Sequence, residues 1–248
     1  TATALSPVAT AQPAPAATQP APAATPNFQY GGVSFQYGPR IAAGLNAQSR
    51  PANPPSDKVA PWDVTPRSVQ VDFTGYVLAD IFHNPRIMVF PTEEYAKISP
   101  QAAQIIETLR QLLANKPERV TDVPFLPFWN AGQVFHTRLA YLDFKNGSGV
   151  RFLTEYSQNT PPISNYALFY SFQGLSADGR YYVSAILPVQ NPILPDGRSL
   201  TQQDYETVNQ DYEAYLADIA ARLELEPAES FNPNLNDLDA LVKSLDVK

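Results

Sequence analysis

The chain has 248 residues, 25 prolines, no cysteine and a formal net charge of −7. The missing thiols exclude disulfides, thiolate nucleophiles and cysteine metal sites. The acidity gathers from Asp196 onward, where twelve acidic residues stand against four basic ones; this excludes the basic footprint of a nucleic-acid partner, and no apolar run approaches the ~18 residues of a membrane-spanning helix.

Residues 1–26 hold ten Ala, six Pro and no charge, and Gln12-Pro-Ala-Pro-Ala-Ala-Thr18 repeats as Gln19-Pro-Ala-Pro-Ala-Ala-Thr25. Proline removes amide donors, and Ala and Thr offer little to bury. The segment therefore reads as a disordered, partly polyproline-II stalk, reaching about 80 Å at full extension. Residues 27–248 read as one α+β globular domain. A neutral Ala/Pro/Thr spacer directly before a globular domain resembles the tether of a bacterial surface lipoprotein. The resemblance implies an extracytoplasmic place at the cell surface or in the periplasm, and a lipid-bearing cysteine ahead of Thr1 once an export signal is removed; a plain secreted protein is the other possibility.

Asn27 to Tyr37 alternates aromatic and polar residues around Gly31-Gly32, as a strand pair or one bulged strand would. Gly38 to Pro61 reads as a long surface segment with a helical turn at Ile41 to Leu45. Val69 to Phe73 and Tyr76 to Phe82 read as strands, and Arg86 to Pro91 as a strand buried on both faces. Ser99-Pro100 starts a helix, as cap and first-turn proline. Ile105, Ile106, Leu109, Leu112 and Leu113 form its apolar face, and Asn115-Lys-Pro117 stops it.

The clearest signal is Leu139 to Tyr156, where apolar and aromatic residues alternate on both sides of Asn146-Gly147 and predict a hairpin. Placing Phe144 opposite Val150 sets Asp143 across from Arg151, Leu142 from Phe152 and Tyr141 from Leu153, so that charges and apolar groups find partners. A second hairpin spans Tyr166 to Gly174 and Arg180 to Val189. The longest helix is expected from about Leu200 to Glu226, with a capping box at Ser199 and Gln202. Its stripe of Tyr205, Val208, Tyr212, Tyr215, Leu216, Ile219 and Leu223 would supply roughly 10–20 kcal/mol of gross stabilisation if fully buried. Leu235 to Val247 closes the chain as a short helix. Together these predict a mostly antiparallel sheet of about six to eight strands, covered by two or three amphipathic helices.

The order Arg151 to Tyr156, Leu168 to Phe172, the Asp178-Gly179 turn and an amphipathic helix is similar to the PsbP-like fold of photosystem II extrinsic subunits. That likeness implies a non-enzymatic binding or scaffold role and carries over no individual residue.

Nucleophile elbows, phosphate loops, dinucleotide glycine fingerprints and zinc helices are missing from the sequence. No catalytic residue, cofactor or metal is therefore assigned. Asn232 to Asp239 starts like a calcium loop but has Asp237 where glycine is needed and Lys243 where a bidentate Glu is needed, so it reads as a helix cap. Asn146-Gly-Ser148 reads as a turn rather than a glycosylation site. His83, Arg86, Trp129, Asn130 and His136 remain as candidate ligand contacts: His83-Asn-Pro-Arg86 as a polar turn shared with His136, and Trp129, like Trp62, as an aromatic platform beside Asn130. The expected function is a non-catalytic, surface-tethered binding or scaffold domain for a protein, glycan or envelope component. The alternative is a hydrolase that uses Asp80, Asp143 or Glu155 with a histidine.

Overall fold

The computed structural model describes residues 27–248; the Ala/Pro/Thr repeat, read as a stalk, lies outside that range. The described chain opens with β1 (Asn27–Tyr30) and β2 (Val33–Gln36), joined through Gly31 and Gly32 with φ of 56° and 81°. Two successive left-handed residues are what a two-residue hairpin turn requires, which selects the strand pair over the bulged strand.

β3 (Ala42–Arg50) pairs with β4 (Ser68–Tyr76), which pairs with β5 (Arg86–Pro91). Two expectations are corrected here. Ala42 to Arg50 is an edge strand rather than a surface segment with a helical turn, because its weak alternation becomes a strand only when Leu45 and Ala47 pack beside β4. Tyr76 to Phe82 is mostly loop, since β4 ends at Tyr76 and Asp80 takes φ 58°, incompatible with an extended run. β5 is buried on both faces through Ile87, Met88, Val89 and Phe90, as its continuous apolar run predicts.

A short helix α1 (Thr92–Ile98) leads into α2 (Pro100–Asn115). The Ser99 hydroxyl oxygen accepts the Ala102 N–H at 3.1 Å, and Lys116 at φ 43° ends the helix. There follow β6 (Gly132–Phe144), β7 (Gly147–Ser157), β8 (Phe169–Ser176) and β9 (Tyr181–Pro188). Helices α3 (Gln202–Val208), α4 (Tyr212–Leu225) and α5 (Leu235–Lys243) come next, then β10 (Asp246–Val247). The architecture is α+β, with a seven-stranded antiparallel sheet in the order β3-β4-β5-β9-β8-β7-β6 and a three-stranded sheet β1-β2-β10.

Both faces of the large sheet are buried. One face carries Val71, Ile87, Val183, Ala185, Tyr170 and Phe172 beneath α4, α5 and the small sheet. The opposite face carries Met88, Phe90, Tyr182, Phe152 and Phe169 beneath α1, α2 and the loop from Val123 to Trp129. The expected single long helix is broken. The Asn209 side-chain amide donates to the carbonyls of Tyr205 (2.8 Å) and Thr160 (3.0 Å), ending α3, and Asp211 caps α4 by accepting the Ala214 N–H at 3.1 Å. The capping box is Thr201 with Asp204, not Ser199 with Gln202. No residue of α3 is buried and α4 fully buries only Ile219 and Leu223, so the stripe contributes far less than its length suggests. The last helix likewise ends at Lys243, and Asp246 and Val247 turn back to pair with β2.

The central hairpin exists, in a different register. Phe144 faces Gly147, Leu142 faces Gly149 and Tyr141 faces Val150, around a two-residue turn at Lys145-Asn146. Gly147 therefore belongs to the strand. A Cβ on Gly147 would lie 2.3 Å from the Leu175 carbonyl oxygen, and one on Gly149 would lie 2.3 Å from the Phe172 ring. These glycines are needed for close approach. The turn is pinned from outside: the Val247 N–H donates to the Asn146 side-chain oxygen (3.0 Å), and the Lys145 N–H donates to the Leu245 carbonyl (2.9 Å).

Arg151 consequently faces Ala140 rather than Asp143, which is exposed. Its guanidinium reaches α5, donating through Nε and Nη2 to the two carboxylate oxygens of Asp239, each at 3.2 Å, and Tyr170 donates its hydroxyl to Asp239 at 3.0 Å. Removing one partner of a buried pair strands the other charge, at ~3–5 kcal/mol. Asp239→Ala should lower the unfolding free energy read from denaturant titration by that amount, whereas Asp143→Ala should stay within ~0.5 kcal/mol of the native protein; equal effects would contradict this register.

Candidate functional site

Antiparallel pairing brings the start of β5, the end of β7 and the start of β8 to one end of the sheet. There the loop before β5 and the loop before β6 border an open cavity of about 630 Å³, lined among others by Phe82, His83, Arg86, Trp129, Asn130 and Tyr156. Asn84, Ser157, Gln158 and Asn159 complete its polar wall.

Gln173, fully buried on β8, holds this wall in place. Its side-chain oxygen accepts the Leu126 N–H (3.1 Å) and the Tyr182 hydroxyl (2.7 Å), while its amide donates to Ser171 (3.0 Å) and Ser184 (3.1 Å). Every valence of the amide is used, so the loop carrying Trp129 is fixed to the sheet. Trp129 then packs into an aromatic cluster with Phe125, Tyr156 and Phe169 at ring-centroid distances of 5.0, 5.2 and 5.6 Å. It plugs the edge of the core and presents its remaining surface to the cavity. The same residue lines a smaller cavity of about 200 Å³ with Trp62, Pro61, Gln101 and Phe128.

His83 stacks on Trp129 with centroids 4.7 Å apart and ring planes 14° apart, and sets its edge against Phe169 at 4.7 Å. Burial, followed by the nearby positive charge of Arg86, lowers its pKa to about 4. The ring is therefore neutral at ordinary pH, and its buried Nε2 has no hydrogen-bond partner. Arg86 is in the same condition. Its Nε is buried and unpartnered, and burial pulls its pKa down more than Asp72, its cross-strand neighbour, raises it. Asp72 is itself held by the side-chain amides of Gln70 (2.7 Å) and Gln48 (3.4 Å).

The structure thus gathers His83, Arg86, Trp129 and Asn130 around one cavity. His136 does not join them: it sits opposite Thr154, its ring Nε2 paired with the Val120 carbonyl at 2.9 Å, and is outside the lining. The contribution of Tyr156 to Asn159 goes unread in the sequence, where the only trace is a polar run directly after a strand.

The carboxylates of the alternative reading are dispersed. Asp80 is exposed and ion-paired with Arg198 at 3.0 Å. Asp143 faces Ser148, seven residues along β7 from Glu155, a separation of about 23 Å in extended chain. Glu155 alternates with Tyr156 and so faces away from the cavity, where it accepts the Ser164 N–H at 3.3 Å. Among the described residues no group of three His, Asp or Glu side chains is placed to hold a metal. No protein-family model matches this chain, and no curated protein or solved structure is detectably similar to it.

Burial pushes the Glu155 carboxyl up to about 8, against the smaller opposing effect of its bond from Ser164. Between the ordinary carboxyl value and pH 8 the folded chain keeps this proton and the unfolded chain has lost it, so stability falls as pH rises through that window. Glu155→Gln should remove the slope, raising the melting temperature at pH 7.5 while leaving it nearly unchanged at pH 4. His83 has the opposite sign, because a lowered histidine pKa costs stability as pH falls from about 6.5 toward 4. Its ring-proton resonances should titrate near pH 4, and a midpoint near 6.5 would contradict the buried, stacked position.

Proposed function

We propose that this protein is a non-catalytic, surface-tethered extracytoplasmic binding domain, and that it holds a glycan or another envelope component in the cavity beside Trp129. The carrying observation is that two residues lining the same cavity, Arg86 and His83, each hold a buried side-chain nitrogen, Nε and Nε2, without a protein partner. Buried polar groups in folded proteins are otherwise nearly always paired. Two such groups meeting at a preformed, aromatic-walled pocket have the arrangement of a ligand site awaiting its polar contacts.

The location part of the proposal rests on the charge-free Ala/Pro/Thr repeat of residues 1–26, which resembles a lipoprotein tether with a lipid anchor ahead of Thr1. The sequence order from Arg151 to Val183 resembles the PsbP-like fold, and that resemblance implies binding or scaffolding rather than catalysis. The hydrolase reading would need two carboxyls within about 5–10 Å, and Asp143 on β6, opposite Ser148, stands seven residues along the hairpin from Glu155 on β7.

Retention of envelope fractions by the whole chain tests the proposal. Asn84 is an exposed wall residue, so Asn84→Trp should fill the cavity without disturbing the core and weaken retention about tenfold or more. His136→Ala, outside the cavity, should leave retention unchanged. Undiminished retention by the Asn84→Trp chain would remove the cavity as the binding site.

A further inference from the structure

We infer that the ligand of this cavity is a carboxylate-bearing saccharide whose acid group seats on Arg86; the inference rests on the cavity being the binding site. Among the described residues the Arg86 guanidinium makes no side-chain hydrogen bond and no ion pair. The one nearby carboxylate, Asp72, points its oxygens to Gln70 and Gln48 instead. A half-buried guanidinium in this state feels the Asp72 charge but forms no direct bond to it, and its planar fork matches a carboxylate in a two-bond geometry.

The neighbours narrow the ligand further. His83 is neutral and adds no second positive charge beside Arg86, which suits a singly charged group better than a phosphate dianion. Asn84 and Asn130 supply side-chain amides that can both donate and accept, as sugar hydroxyls require, while Ser157 and Gln158 are engaged with Asn159 and the Asn130 carbonyl, and Trp129 supplies an apolar edge. At about 630 Å³ the cavity falls within the ~300–1,000 Å³ range of pockets that enclose small ligands.

The test is calorimetric titration of the whole chain with trigalacturonate and with its methyl ester, which keeps the rings and removes the charges. The native chain should bind the acid about tenfold or more tightly than the ester. Arg86→Gln, confirmed folded by its thermal melt, should lose that preference, and Arg86→Lys should keep part of it because the charge remains while the fork is lost. Equal binding of acid and ester, both abolished in the Asn84→Trp chain, would overturn the acidic ligand and leave the cavity as the site. Acid binding unaffected by either Arg86→Gln or Asn84→Trp would overturn both readings. No measurable binding of the acid by the native chain would overturn the saccharide acid while leaving the envelope-retention result to stand on its own.

Discussion

The packing of one sheet face depends on the pairing of Arg151 with Asp239. Arg151 and Glu155 are the only charged residues counted as buried among those described, and Arg151 lies on a central strand beneath α5. Two bonds to Asp239, a bond to the Arg138 carbonyl and the neighbouring Tyr170 hydroxyl satisfy the pair. This polar clamp fixes where α5 sits. α5 in turn delivers Leu245 to Val247 onto the β6–β7 turn and pairs β10 with β2, so the last strand of the described chain joins the opening hairpin. The geometry of a clamp between charged groups is narrow, whereas apolar contacts alone would tolerate a sliding helix.

The other face is organised by the apolar side of α2 and by the Gln173 network. Its helical cover is concentrated over the β7 and β8 half of the sheet, and the β3 and β4 half carries Gln48, Gln70 and Asp72 in place of apolar residues. The cavity forms where these halves meet, between a loop tied down by Gln173 and a loop held by the Phe82 N–H donating to the Tyr166 carbonyl at 2.9 Å. Arg86 stands at that boundary, where the effect of burial on its charge exceeds that of its cross-strand neighbour Asp72. A site of this kind works against stability, and the well-packed sheet beside it tolerates the loss.

Much of this was legible along the chain, and the misses share a cause. The continuous apolar run of Arg86 to Pro91, the Ser99 cap and the existence of the central hairpin are local signals, and each appears where its residues place it. The hairpin register differs because Asn146 answers to Val247, a hundred residues away, and Gly147 and Gly149 answer to Phe144 and Phe172 ring positions that no local rule contains. The helix from Leu200 breaks at Asn209 because Thr160 offers a carbonyl there. Of the candidate contacts, the His83 to Arg86 turn and the Trp129-Asn130 pair converge on one cavity, while His136 is claimed by the Val120 carbonyl.

By itself the sequence determined the α+β class, the central hairpin, the Ser99-capped helix and a short set of aromatic and polar candidate residues. These follow from backbone propensity and side-chain period, which act between near neighbours. Tertiary structure alone decided the strand register, the edge strand β3, the Arg151 to Asp239 clamp and the isolation of Arg86 and His83 without partners. Each of these depends on which distant groups arrive within hydrogen-bonding distance, and that is a property of the folded arrangement rather than of any stretch of chain.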